Sequence, residues 1–243
     1  MRKIITILLL VIPIYLFSQD SDYFDKGKEY EYNAIYIDKY GDTITNEKVV
    51  FRPLGRAWIG QPWLQKSIRY VYNTDTAGYK NYIDPNDFFH EKNMKYFAKK
   101  GKVRISKKET TGGFYKKHFY MHPPRTNQYR MLFYAPHPFA LISKLTDSIT
   151  TFEWGMNIYL MGDFKWNYTV TPMPKIIIDD KEVIAWRIFT NSTGNIKERF
   201  KKEKLYNSTL DAIFTKELGF TKLHYTFENG IKIQFNLEKV VYL

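Results

Sequence analysis

The run Leu223-His224-Tyr225-Thr226-Phe227-Glu228-Asn229-Gly230-Ile231-Lys232-Ile233-Gln234-Phe235-Asn236-Leu237 decides the fold class. Leu223, Tyr225 and Phe227 alternate with polar residues, Glu228-Asn229-Gly230 interrupts, and Ile231, Ile233, Phe235 and Leu237 resume the alternation. Side chains point to opposite faces of a strand with period two, so both runs present one apolar face. Asn-Gly tolerates the positive φ angles of a type I′ turn, and the segment therefore reads as a tight β-hairpin.

The same signature recurs towards the N-terminus. Val103 and Ile105 alternate with Lys102, Arg104, Ser106 and Lys108, and the spacing predicts a turn at Thr110-Thr111-Gly112-Gly113 with a return through Tyr115 to Met121. Pro174–Ile178 and Val183–Phe189 flank Asp179-Asp180-Lys181, a third hairpin. A fourth runs from Tyr30 to Ile37, turns near Tyr40-Gly41-Asp42 and returns through Lys48 to Arg52. Ser67 to Tyr72 and Trp166 to Val170 read as further strands. Two segments read as helices. One begins at Asp84-Pro85-Asn86-Asp87, with a capping aspartate and an early proline, and ends at Gly101; the other is the Lys- and Glu-rich stretch Asn195 to Tyr206. Many strands and few helices give a mainly β fold: an antiparallel curled sheet or half-barrel with one or two short helices. Met121-His122-Pro123-Pro124 and Pro136-His137-Pro138 read as ordered loops crossing between strands.

The chain has 243 residues, 18% of them aromatic, with 20 Tyr and 18 Phe. That content excludes a disordered chain. Met1-Arg2-Lys3, the apolar run Ile4 to Phe17 and the following Ser18-Gln19 form the pattern of a secretory signal peptide, residues 1–18, cleaved after Ser18. The apolar run is shorter than the ~20 residues that a membrane-spanning helix needs, and Pro13 interrupts it. Residues 19–243 are then expected to form a single β-rich domain. Loss of Arg2 and Lys3 takes 37 basic residues to 35 against 25 acidic ones, so the formal charge falls from +12 to +10. The absence of cysteine (zero in the chain) removes disulfides, thiol nucleophiles, Cys-ligated zinc and a lipidated N-terminal anchor.

In the second half, Trp154, Trp166-Asn167-Tyr168-Thr169-Val170, Ala185-Trp186-Arg187-Ile188, Leu218-Gly219-Phe220-Thr221-Lys222-Leu223 and Tyr225-Thr226-Phe227 follow one another in an order that resembles small exported β-rich proteins of Bacteroidota. More distantly it resembles the curled sheets of periplasmic lipoprotein carriers (LolA/LolB-like). The resemblance spans residues 150–243 and implies a half-barrel sheet with an apolar concavity and an envelope location. Asp42-Thr43-Ile44, Asp75-Thr76-Ala77 and Asp147-Ser148-Ile149 resemble that phylum's O-glycosylation acceptors, although Asp-Thr and Asp-Ser are also ordinary turn chemistry.

Each candidate chemistry competes with a simpler role. His118 and His122 are four apart and share a face; zinc would need a third ligand from His90, Glu91 or His137. His118 lies among Lys116, Lys117 and Tyr120, which reads as a solvent face, so no metal is expected. Asp179-Asp180 sits at a hairpin tip, where aspartates favour the turn, rather than converging across a cleft as acid–base catalysis requires. No nucleophile elbow, phosphate loop, dinucleotide fingerprint or zinc-protease motif is present, and no cofactor is expected. Lys102, Arg104, Tyr115 and Lys117 form a basic, aromatic stripe if their strands face each other. In an exported protein its anionic partners are lipid headgroups, lipopolysaccharide phosphates or acidic glycans rather than nucleic acid. Trp58 and Trp63, set among Gly60 and Pro62, read as loop tryptophans available to a ligand; Trp154, Trp166 and Trp186 read as core. Together these features describe a non-enzymatic, exported binder of an apolar or anionic envelope component. The alternatives are an envelope-polymer hydrolase, marked by His118, His122 and His137 converging with an acid, or a structural subunit.

Overall fold

The computed structural model describes residues 27–55, 65–72, 108–115, 118–124, 129, 131–132, 135–158, 162–178, 180–192 and 207–243. Fourteen strands lie in this part: β1 (Lys28–Ile37), β2 (Thr43–Gly55), β3 (Gln65–Tyr72), β4 (Lys108–Tyr115), β5 (His118–Met121), β6 (Phe139–Leu141), β7 (Thr150–Ile158), β8 (Gly162–Pro172), β9 (Ile176–Ile178), β10 (Lys181–Val183), β11 (Ala185–Ser192), β12 (Ser208–Thr215), β13 (Gly219–Phe227) and β14 (Lys232–Tyr242). Twelve form one sheet in the order β6-β5-β4-β3-β2-β1-β14-β13-β12-β11-β8-β7, and β9 and β10 form a separate ribbon. Every pairing is antiparallel. The mainly β, open-sheet reading of the sequence is what the structure contains, and the helix expected at 84–101 and the one at 195–206 lie outside the described residues.

Topology alone forces this sheet to curl. β6 and β7 follow each other in the chain but occupy opposite edges, joined by residues 142–149. Laid flat, twelve strands would put those edges about 50 Å apart, whereas the linker reaches roughly 30 Å fully extended. A 3-10 turn at Ile142–Lys144 shortens the linker further. The edges therefore meet: the Phe139 ring centroid lies 5.5 Å from that of Phe152 and 5.3 Å from that of Trp154. No backbone pairing links β6 to β7.

The alternation read from sequence sets the concave face. Tyr30, Tyr32, Ala34 and Tyr36 of β1, Leu210, Ala212 and Phe214 of β12, and Leu223, Tyr225 and Phe227 of β13 are all buried. Burying each large ring contributes on the order of 2–3 kcal/mol. The convex face carries ion pairs instead: Glu31 with Lys48 at 2.7 Å, Glu29 with Arg52, and Asp211 with both Arg187 (2.7 Å) and Lys222 (3.1 Å). Burial raises the Asp211 pKa, but hydrogen bonds and charge from Arg187 and Lys222 outweigh it, and the net value is lowered. Gly155 permits a close approach of β7 to β8, since a Cβ there would stand 2.5 Å from the Phe164 carbonyl oxygen.

Three local expectations change. The β13–β14 reversal is not type I′, because Gly230 has positive φ (92°) and Asn229 does not. The Gly230 amide donates to the Phe227 carbonyl and the Phe227 amide to that of Ile231, both at 2.9 Å, which is a type I turn followed by a glycine bulge. Thr110-Thr111-Gly112-Gly113 is no turn: it runs inside β4, paired with β3 on one side, and Gly112-Gly113 pairs with β5 on the other. Tyr115 at the end of β4 and His118 at the start of β5 are register partners. The two glycines had advertised a turn, yet strand pairing on both sides overrides that preference. Val183–Phe189, finally, is divided. The Asp180 tip (φ 59°) closes β9 onto β10, and the chain then breaks at Ile184 before β11 joins the large sheet between β8 and β12.

Candidate functional site at the aromatic seam

β5 alternates between two environments. Phe119 faces Phe214 and Phe220, with ring centroids 5.9 and 5.7 Å away on the concave side of β12 and β13. Tyr120, pointing the other way, pairs in register with Phe139 and approaches Trp154 at 6.5 Å. Both faces of this short strand therefore pack against strands from the far half of the same sheet.

Two proline-flanked loops complete the seam. His122 and Pro123-Pro124 leave β5, and Pro136-His137-Pro138 enters β6; the prolines and His137 are buried, as expected of ordered crossing loops. Proline removes backbone donors, which lowers the cost of burying such loops. Tyrosine hydroxyls from opposite halves of the sheet pin them: Tyr70 of β3 donates to the His122 carbonyl, and Tyr168 of β8 donates to the His137 carbonyl at 2.9 Å. The His122 and His137 rings then meet edge to face, 4.6 Å apart. His137 stacks on Trp166 at 5.1 Å and lies 5.6 Å from Trp154, while His118 stacks on Phe139 at 5.2 Å.

His118 is therefore not on a solvent face. It is half-buried, and burial lowers its pKa from the ordinary histidine value. Its sequence neighbours Lys116 and Lys117 suggested exposure, but the β6 edge and Phe139 cover the ring. Three histidines do gather at this seam, among aromatic rings. Among the described residues, no group of three or more His, Cys, Asp or Glu side chains is placed to hold a metal ion. The chemistry the seam offers is ring stacking and neutral hydrogen bonding.

Of the residues read from sequence as ligand contacts, Trp58, Trp63, Lys102, Arg104 and Lys117 lie outside the described residues, and Tyr115 ends β4 opposite His118. Trp166 and Trp186 are core as expected, and Trp154 is half-buried at the seam. Sequence reasoning missed Phe139 and Phe152 altogether. Their only signal is that β6 and β7, adjacent in sequence, stand at opposite edges of the twelve-stranded order with ten strands between them, which appears once the topology is known.

Fold and seam together define a class: a curled, open antiparallel sheet with an aromatic concave face whose two edges meet through side chains. No protein-family model matches the chain, and no curated protein matches it. Among solved structures, a Bacteroides fragilis protein provisionally described as exported, with a YmcC-like fold, aligns at 9% identity and a TM-score of 0.38, over 89% of this chain and 96% of that one. A likeness at that level carries no argument, and the architecture stands on the strand register alone. None of these comparisons names a lipoprotein carrier.

Proposed function

We propose that this is an exported, non-enzymatic binding protein of the cell envelope that takes an apolar component into the concave face of its curled sheet. The observation that carries this reading is the seam. Phe139 meets Phe152 and Trp154 without backbone pairing between β6 and β7, so the aromatic interior is closed by ring contacts rather than by a ladder of hydrogen bonds. Ring contacts of this kind contribute about 0.5–1.5 kcal/mol per pair beyond burial, little enough for the edges to part and admit a ligand.

The export half rests on the signal-peptide pattern of residues 1–18, with residues 19–243 acting as one domain in the periplasm or at the outer membrane. Among the described residues no helix is long and apolar enough to cross a membrane. The hydrolase reading gains His118, His122 and His137 at one seam, but each ring packs on aromatic neighbours, and among the described residues no acid gathers with them. The basic stripe and loop tryptophans remain the proposal for an anionic headgroup or glycan contact.

Native mass spectrometry of the full-length protein, expressed with its leader and recovered from the envelope fraction, tests this. The expected result is cleavage after Ser18 and a stoichiometric co-purifying apolar molecule released by organic solvent. Retention in the cytoplasm, or an envelope protein that neither carries nor takes up an apolar molecule, would overturn the proposal.

A further inference from the structure

One cluster of buried polar groups has no structural employment. Tyr168, Thr190, Leu210 and Tyr225 are successive register partners across β8, β11, β12 and β13, all turned to the concave face. Ser208 lies two residues before Leu210 on β12 and shares that face. Thr190 and Tyr225 are fully buried and Ser208 is 4% exposed, yet the hydroxyl oxygens of all three lack a hydrogen-bond partner. Buried polar groups are ordinarily paired, because an unpaired one forfeits its hydration without compensation. Tyr168 shows the ordinary case beside them, donating to the His137 carbonyl. Burial, with a smaller contribution from Tyr168, raises the Tyr225 pKa well above the usual phenol value, so its hydroxyl stays protonated and able to donate.

The surroundings limit what such a cluster can bind. The buried polar and charged residues among those described are Asp38, Glu47, His137, Thr190, Ser208 and Thr215, with no Lys or Arg. Among the described residues, the buried carboxylate on the concave sheet face is that of Glu47, which accepts from Tyr129 at 2.7 Å. An anionic head placed there would lie buried without a counter-charge, which is costly. A neutral hydroxyl or carbonyl would meet three hydroxyls of matching chemistry.

We propose that Thr190, Ser208 and Tyr225 form the polar end of a binding site for an uncharged, lipid-like molecule whose hydroxyl or carbonyl group they hydrogen-bond. This rests on the concave face being a ligand-binding surface, and it assigns that face to neutral rather than anionic ligands.

The test titrates full-length protein with three probes of equal chain length, 1-tetradecanol, tetradecanoate and tetradecane, following tryptophan fluorescence. Trp166, which pairs with Ser192 beside Ser208, supplies a reporter. The wild type is expected to prefer tetradecanol. In Thr190→Val/Tyr225→Phe, tetradecanol binding should weaken roughly ten-fold, as expected for two lost hydrogen bonds, with tetradecane binding unchanged. Because the removed hydroxyls have no protein partner, thermal stability should be equal or higher. Ser208→Ala should show a smaller loss in the same direction. Unchanged tetradecanol affinity in both variants overturns the assignment while leaving the binding reading intact. Tighter binding of tetradecanoate overturns the neutral-ligand assignment. Loss of stability in both variants would show the hydroxyls to be structural, and failure of all three probes to bind the wild type would sink the binding reading itself.

Discussion

β1 and β14 stand at opposite ends of the described chain, yet they pair by backbone from Lys28↔Tyr242 to Ile37↔Lys232, with one bulge at Glu31/Tyr32. β6 and β7 are neighbours in sequence and share no backbone pairing; rings alone join them. One molecule thus closes two gaps by two means. The ladder buries Tyr30, Tyr32, Ala34 and Tyr36 against β14 and can open only if the sheet comes apart. The seam can part without breaking a strand pair. The difference separates what holds the sheet together from what gives access to its interior.

Substitutions on the two sides should separate accordingly. Phe235 of β14 is fully buried, 5.1 Å from the Tyr129 ring and 6.0 Å from that of Phe51. Phe235→Ala should destabilise the protein by about 3–5 kcal/mol, read as a lowered urea midpoint. Phe139→Leu keeps an apolar side chain at the seam and removes its ring contacts, so about 1 kcal/mol is expected, with faster ligand release. If the two changes cost the same, the seam is as structural as the ladder and the contrast is wrong.

Asp211→Asn, on the convex face, should cost about 0.5–1 kcal/mol. The folded-state pKa of Asp211 is lowered, so its contribution is present above the unfolded carboxylate value and is lost as pH falls through the folded one. The variant should therefore differ from wild type at neutral pH and converge with it in acid, as measured by urea unfolding across pH. His118 follows the same sign for a different reason. Burial favours its neutral ring, so stability is full above the unfolded value of about 6.5 and falls as pH drops through the lower folded value. His118→Phe should shrink the stability difference between pH 7.5 and pH 5, the smallest effect of the set; an unchanged difference would show that His118 is not held neutral by the seam.

The fold was legible wherever period-two alternation met a turn signal. Tyr30–Arg52 and Leu223–Leu237 appear as hairpins in sequence and structure alike, because apolar alternation and turn chemistry point the same way. Gly112-Gly113 misled for the opposite reason: glycine marks a turn and also fits a strand when neighbours pair on both sides. The meeting of the two sheet edges was not legible, although the proline-flanked loops that border it were. Nothing in the spacing of Phe139, Phe152 and Trp154 says that two sheet edges meet, since that follows from the order of twelve strands and the shortness of residues 142–149. The hydroxyl cluster is hidden likewise, because Thr190, Ser208 and Tyr225 look like ordinary strand residues until register places them on one concave face.

Native-state hydrogen exchange resolved to single strands tests the contrast most directly. The amides of β6, bonded to β5, should open locally and exchange at least about a hundred-fold faster than those joining β1 to β14, which should exchange only through global unfolding. Equal protection of the two regions, with both opening only on global unfolding, would contradict a seam that parts while the ladder holds.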